Sequence, residues 1–163
     1  MQSSYSVGSS NTFFRPRDYS DRLLAPSWTP VSLRNKIAAG ARFAQTQFCM
    51  DAGIVRRYAA VLEKAGVTKQ LALIIGVNPL RSAKSAQWMK SHLFGTIIAD
   101  DLIARMETAS DPGQEGIAIC VELIEELATI PGIAGVHVMA PGNDAAIPHV
   151  IAQVRAKVKK AAL

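Results

Sequence analysis

The chain has 163 residues, 49% of them hydrophobic, with a mean hydropathy of +0.16 and a formal charge of +5. That is enough apolar material for one core and excludes a chain disordered in bulk, so one domain over residues 1–163 is expected. Apolar runs such as residues 71–77 stop well short of the ~20 residues a membrane span needs, and the polar start has no apolar signal core, so a cytoplasmic protein with no membrane partner is expected.

Strand-like and helix-like segments alternate. Residues 5–9, around Val7, form a short strand, and residues 10–31 a long Pro-, Arg- and Asp-rich loop with Phe13, Phe14 and Trp28. Loops this long inside a domain are usually functional or disordered. A short helix over 32–39 ends at Gly40, which favours a left-handed cap. The next strand, 43–48, puts Phe43, Gln45 and Gln47 on one face and Ala44, Thr46 and Phe48 on the other. Leaving a buried amide unpaired costs about 1–3 kcal/mol, so the strand end carrying Gln47 is a candidate site for a hydrogen-bonding ligand. The bland alternative is a glutamine satisfied by neighbouring backbone.

A helix over 51–65 carries Ile54, Tyr58 and Leu62 on one stripe and closes at Gly66. Residues 71–77 are continuously apolar, as in a strand covered on both faces. The turn from Asn78 to Arg81 leads to a helix capped by Ser82 and running to His92. Two more helices follow, over 100–109 and from Asp111-Pro112, the second with Gln114 at the capping-box position and a core stripe of Ile117, Cys120, Val121, Ile124, Leu127 and Ala128. A strand over 136–139 and a turn over 141–144 precede the last helix, with Ile147, Val150, Ile151, Val154 and Val158 on its stripe. Its end carries Arg155, Lys157, Lys159 and Lys160 and no acid, which leaves a charge of +1 for residues 1–150. Cations there complement the helix dipole, and no nucleic-acid motif accompanies them, so no nucleic-acid partner is expected.

Cys49 and Cys120 are too few for a disulfide framework and read as core thiols. His92, His137 and His149 are dispersed, so neither a metal site nor a catalytic triad is supported, and no glycine spacing matches a phosphate loop. Strands separated by helices imply parallel βαβ units. Ligands then lie at the carboxyl ends of the strands: residues 9–11, 47–51, 78–81 and 139–144.

The block Lys36-x-x-Ala-Gly-Ala-x-Phe-x-x-Thr-Gln47-Phe, then Asp51, the Gly76-Val-Asn-Pro79 turn, a helix near Ile98-Ala-Asp, the helix containing Gly116 and Gly135-Val-His137 resemble methylenetetrahydrofolate reductase. The resemblance runs in order from about Val7 to Val150. It implies an α/β fold, a partial (β/α)8 TIM barrel whose parallel strands correspond to the second half of the family's barrel, with helices outside. It also implies FAD, with NADH or NADPH as reductant, and reduction of methylenetetrahydrofolate to methyltetrahydrofolate. Gln47 falls on the glutamine that contacts the folate pterin and the nicotinamide, Lys36 on a basic residue near the FAD diphosphate, and Asn78 and Arg81 where substrate meets the barrel rim. Met139 stands where the family has an aromatic, Asn143 or its neighbours where it has an arginine for the folate tail. Arg15 and Arg17 occupy a loop where the family's histidine is missing and where phosphates would be met. The family's acid and its aspartate near the flavin lie in the other half of the barrel, so no catalytic residue is identified in this half. Open sheet edges make a complementary half-barrel chain or a homo-oligomer the expected partner, beside the folate substrate. Other readings are a non-catalytic interaction subunit that kept the fold, and a pterin-binding methyl-transfer barrel.

Overall fold

A computed structural model describes residues 29–161, with side chains described through Lys157. The elements, in chain order, are α1 (Val31–Ala38), β1 (Phe43–Met50), α2 (Ala52–Lys64), β2 (Ala72–Val77), α3 (Ala83–His92), β3 (Ile97–Ile98), α4 (Asp100–Thr108), α5 (Pro112–Ala128), β4 (Ile133–Val138) and α6 (Ala146–Ala161). The strands form one parallel sheet in the order β3-β1-β2-β4. A parallel sheet with helices around it is the architecture of part of a (β/α)8 barrel, as expected.

Local chemistry explains the boundaries. Gly40 (φ 98°) and Gly66 (φ 72°) close α1 and α2 in the left-handed conformation that side chains disfavour. Asp51 caps α2 by accepting from the Ile54 amide at 2.9 Å, Ser82 caps α3 through the Ser85 amide at 3.2 Å, and Asp111 caps α5 through the Gln114 amide at 3.0 Å, with Pro112 at the start of that helix.

The sheet departs from the sequence reading in two places among the described residues. The strand expected near Val7 lies outside the described residues, as do residues 10–28 of the expected long loop. A strand that the alternation did not show, Ile97–Ile98, instead pairs with Cys49 and Met50 at the carboxyl end of β1. Two residues carry no readable period, and these merge into the approach to α4. Second, β4 starts at Ile133 rather than Val136, although the Met139 amide still donates to the Val77 carbonyl at 2.9 Å, extending the ladder to the expected end. On α5 the stripe is buried through Leu127, but Ala128 is exposed.

One face of the sheet is closed. Ala44, Leu73, Ile75 and Val77 are buried there in a cluster with Val55, Tyr58 and Leu62 of α2, Met106 of α4 and Cys120 and Leu127 of α5. Beyond the sheet, Arg105 of α4 binds Glu122 of α5 through two bonds, of 2.6 and 3.0 Å, and also reaches Glu115. The Arg105 guanidinium holds the Glu122 carboxyl below the usual carboxylate range, and the paired acids push Arg105 up. The other face carries Phe43, Gln45, Gln47, Ala72, Ile74 and His137, none of them buried.

Candidate functional site

The open face gains its shape from a bulge in β1. Gln45 pairs with Ile74, but Phe48, three residues on, pairs with Gly76, two residues on. The mismatch is absorbed by Thr46: its hydroxyl accepts from the Gly76 amide at 2.9 Å and donates to the Gln47 carbonyl at 2.7 Å. A side chain replaces a ladder bond, the strand bends, and Gln47 is left exposed beside the carboxyl end of β1.

Glycine forms the floor. A Cβ on Gly76 would come 2.6 Å from Met139 Cε and 2.8 Å from the carbonyls of both Thr46 and Gln47, whereas one on Gly135 would meet nothing within 4 Å. Over this floor the Gln45 amide nitrogen meets His137 Nδ1 and lies 3.9 Å from Met139 Sδ. Gln45, Gln47, His137 and Met139 therefore share one corner of the open face.

The rim is built by the loops that follow β2 and β4. Asn143 Nδ2 donates to the Pro79 carbonyl at 3.0 Å, tying the two loops together. Leu80 is fully buried, and α5 approaches it so closely that a Cβ on Gly116 would fall 1.7 Å from the Leu80 carbonyl oxygen. Only glycine allows that approach, which fixes the loop from Asn78 to Arg81 on the helix layer.

The expected site residues fall in different places. Gln47 is exposed and Met139 half-buried, and the Gln47 carbonyl and the Met139 methyl both lie over Gly76. Arg81 is exposed on the β2 loop. Asn78 is buried, its backbone amide 3.3 Å from Met50 Sδ and its side-chain amide 3.6 Å from Met89 Sδ, so it faces the core. Lys36 is half-buried in the last turn of α1, ahead of the Gly40 turn into the amino end of β1, with Val31, Ser32 and Asn35 around a shallow hollow. Arg15 and Arg17 lie outside the described residues. Two residues at this corner are not among the expected site residues, Gln45 and His137. The parity of Gln45 with Gln47 was visible, but the register that sets His137 opposite Gly76 was not.

A second hollow of about 290 Å³ lies where β1 and β3 lead into α2 and α4, with Asp51, Asp101, Glu122 and Glu126 on its wall. All four acids are engaged: Asp51 caps α2, Asp101 accepts from the Leu102 amide at 2.9 Å, Glu122 binds Arg105, and Glu126 binds Arg56 at 3.2 Å. Among the described residues no group of three or more His, Cys, Asp or Glu is placed to hold a metal, and no helix is long and apolar enough to cross a membrane.

A parallel sheet with helices on one side and amide side chains on the other is the setting in which the sequence comparison falls. The family model for methylenetetrahydrofolate reductase matches residues 21–155, most of the chain, and the chain belongs to that family. No curated protein matches the sequence.

Proposed function

We propose that this chain supplies the second half of a flavin-dependent methylenetetrahydrofolate reductase barrel, which reduces methylenetetrahydrofolate to methyltetrahydrofolate with NADH or NADPH once a complementary half is present. The observation that carries this reading is the exposed Gln47 at the carboxyl end of β1, on the open face that also carries bare backbone at Gly135. A flat heterocycle needs such a surface, because a side chain at Gly135 would hold it off the sheet. FAD fits these residues by that test. Bound flavin would supply hydride transfer, and the chain would supply placement and hydrogen bonds. In this reading Gln47 donates and accepts through its amide toward the substrate rings, Met139 covers their edge and Arg81 meets charge at the rim. Asn78 holds the rim from beneath. Lys36, Arg15 and Arg17 serve the FAD diphosphate.

A complementary half is favoured by what the described residues leave open. A groove of about 410 Å³ runs between β4 and α6, lined by Val136, Val138, Ile147, Ile151 and Val154, and Ile151 is 40% exposed on a stripe that should be covered. No described strand pairs with the far edge of β4. Unpaired edges beside apolar surface invite a further strand.

The test is to purify the chain alone and with the amino-terminal half of a family barrel, record flavin absorbance, and measure NADH and NADPH oxidation with methylenetetrahydrofolate. Little turnover is expected alone and clear turnover with the second half, because proton donation by a positioned acid contributes about 10²–10⁴-fold and the family's acid lies on that half. Gln47→Ala in the reconstituted barrel is expected to lower turnover at least tenfold. A colourless, inactive complex would instead favour a non-catalytic interaction subunit.

A further inference from the structure

The contact between Gln45 and His137 needs explaining, because their strands are not neighbours. β2 lies between β1 and β4, so the two backbones are about 10 Å apart, twice the strand spacing. Side chains from second-neighbour strands meet only if the middle strand leaves the space above it free. Gly76, paired with His137 in register, adds no side chain of its own to that space, which the Met139 methyl fills. The bulge at Thr46 and Gln47 then sets where β1 side chains stand relative to that gap. Three independent features, a glycine, a bulge and a register, converge on one polar contact on an otherwise open face.

The chemistry of that contact has a direction. The Gln45 nitrogen that meets His137 Nδ1 also faces Met139 Sδ at 3.9 Å, and a thioether can only accept. The amide therefore presents its N–H group to this corner, and Nδ1 receives a donor. An imidazole whose Nδ1 accepts carries its proton on Nε2. His137 is exposed, so that Nε2–H group is available to a ligand lying on the sheet.

We propose that Gln45 is a positioning residue that holds His137 over Gly76 with its proton on Nε2, and that His137 Nε2 donates to an acceptor atom, a ring carbonyl or ring nitrogen, of the planar heterocycle bound on the open face. The ligand half of this rests on the function proposed above. The pairing half does not.

The experiment uses the full chain labelled with ¹⁵N-histidine. Long-range proton–nitrogen spectra should show His137 Nδ1 as an unprotonated acceptor and Nε2 as protonated, and Gln45→Met, which keeps length and removes the donor, should shift His137 alone to a mixture of tautomers while His92 and His149 stay unchanged. FAD is the probe for binding. Gln45→Met and His137→Ala should each weaken it about five- to tenfold, the scale of one neutral hydrogen bond, and the double variant should be no worse than His137→Ala. A His137 tautomer unaffected by Gln45→Met overturns the positioning role, as do additive losses in the double variant. FAD affinity unchanged by His137→Ala overturns the ligand contact. If the wild-type chain binds no FAD but shows the stated tautomer and its loss in Gln45→Met, the pairing stands and the ligand half falls together with the functional reading of the face.

Discussion

The two faces of the sheet use the same strands for opposite ends. On the helix-covered face, Ala44, Leu73, Ile75 and Val77 are at most 4% exposed. On the other, Phe43 is 45% exposed, Gln45 follows Ala44 directly, Gln47 is exposed further along the same strand, and His137 stands on β4 beside Gly76. Alternation along a strand thus separates stability from recognition by a single residue step. The consequence is testable, since truncations one step apart along the same sheet should differ by several kcal/mol.

The largest contrast is between Ile75→Ala and Phe43→Ala. Ile75 is fully buried, and removing three of its carbons should cost about 2–5 kcal/mol, while the larger truncation at Phe43 should stay within about 1 kcal/mol in the isolated chain. Urea unfolding of the two variants measures this. If Phe43→Ala costs as much as Ile75→Ala, the open face is covered in solution.

A middle-sized effect separates the two floor glycines. Gly76→Ala places a methyl against Met139 and two backbone carbonyls, which cannot swing aside, so a loss of about 1–3 kcal/mol and breakage of the Gln45–His137 contact are expected. Gly135→Ala has space and should be neutral to within about 0.5 kcal/mol, yet it should impair binding of a flat ligand by occupying that space. Thermal melts together with FAD titration distinguish the two behaviours.

The smallest effect is a pH dependence that belongs to the covered side alone. Burial pushes the Cys49 and Cys120 thiols up to about 12, and burial also raises Tyr58. The unfolded chain loses these thiol protons above about pH 9 while the folded chain keeps them, so the unfolded state binds fewer protons there and stability falls as pH rises. Between pH 7 and 8 the urea midpoint should be nearly flat on this account, and by pH 10 the loss should be about 1.4 kcal/mol per thiol. Cys49→Ser/Cys120→Ser should flatten the alkaline limb. Native thiols that react with a thiol reagent at pH 8 without unfolding would show that the covered face is open.

How much of this was legible beforehand depends on the kind of signal. The caps at Asp51, Ser82 and Asp111 and the stops at Gly40 and Gly66 act within a few residues, and each is found where the sequence puts it. The stripe of α5 is found too, apart from Ala128. The exposure of Gln47 agrees with its parity. Asn78 illustrates the limit: a polar residue after a strand reads as a rim residue, but neighbouring methionines from β1 and α3 draw its amide into the core.

By itself the sequence determined the alternation of strands and helices, the family, and which residues of β1 share a face, because period, caps and turns are encoded over short stretches of chain. The tertiary structure decided that Ile97–Ile98 joins the sheet beside β1, that Thr46 completes the ladder at a bulge, and that Gln45 meets His137 across Gly76. These depend on register between segments separated by as many as 92 residues. No local period records register. It is set only when the helix-covered face packs, because a slip of one residue there would turn the apolar set out to solvent and carry the amides of the open face inward.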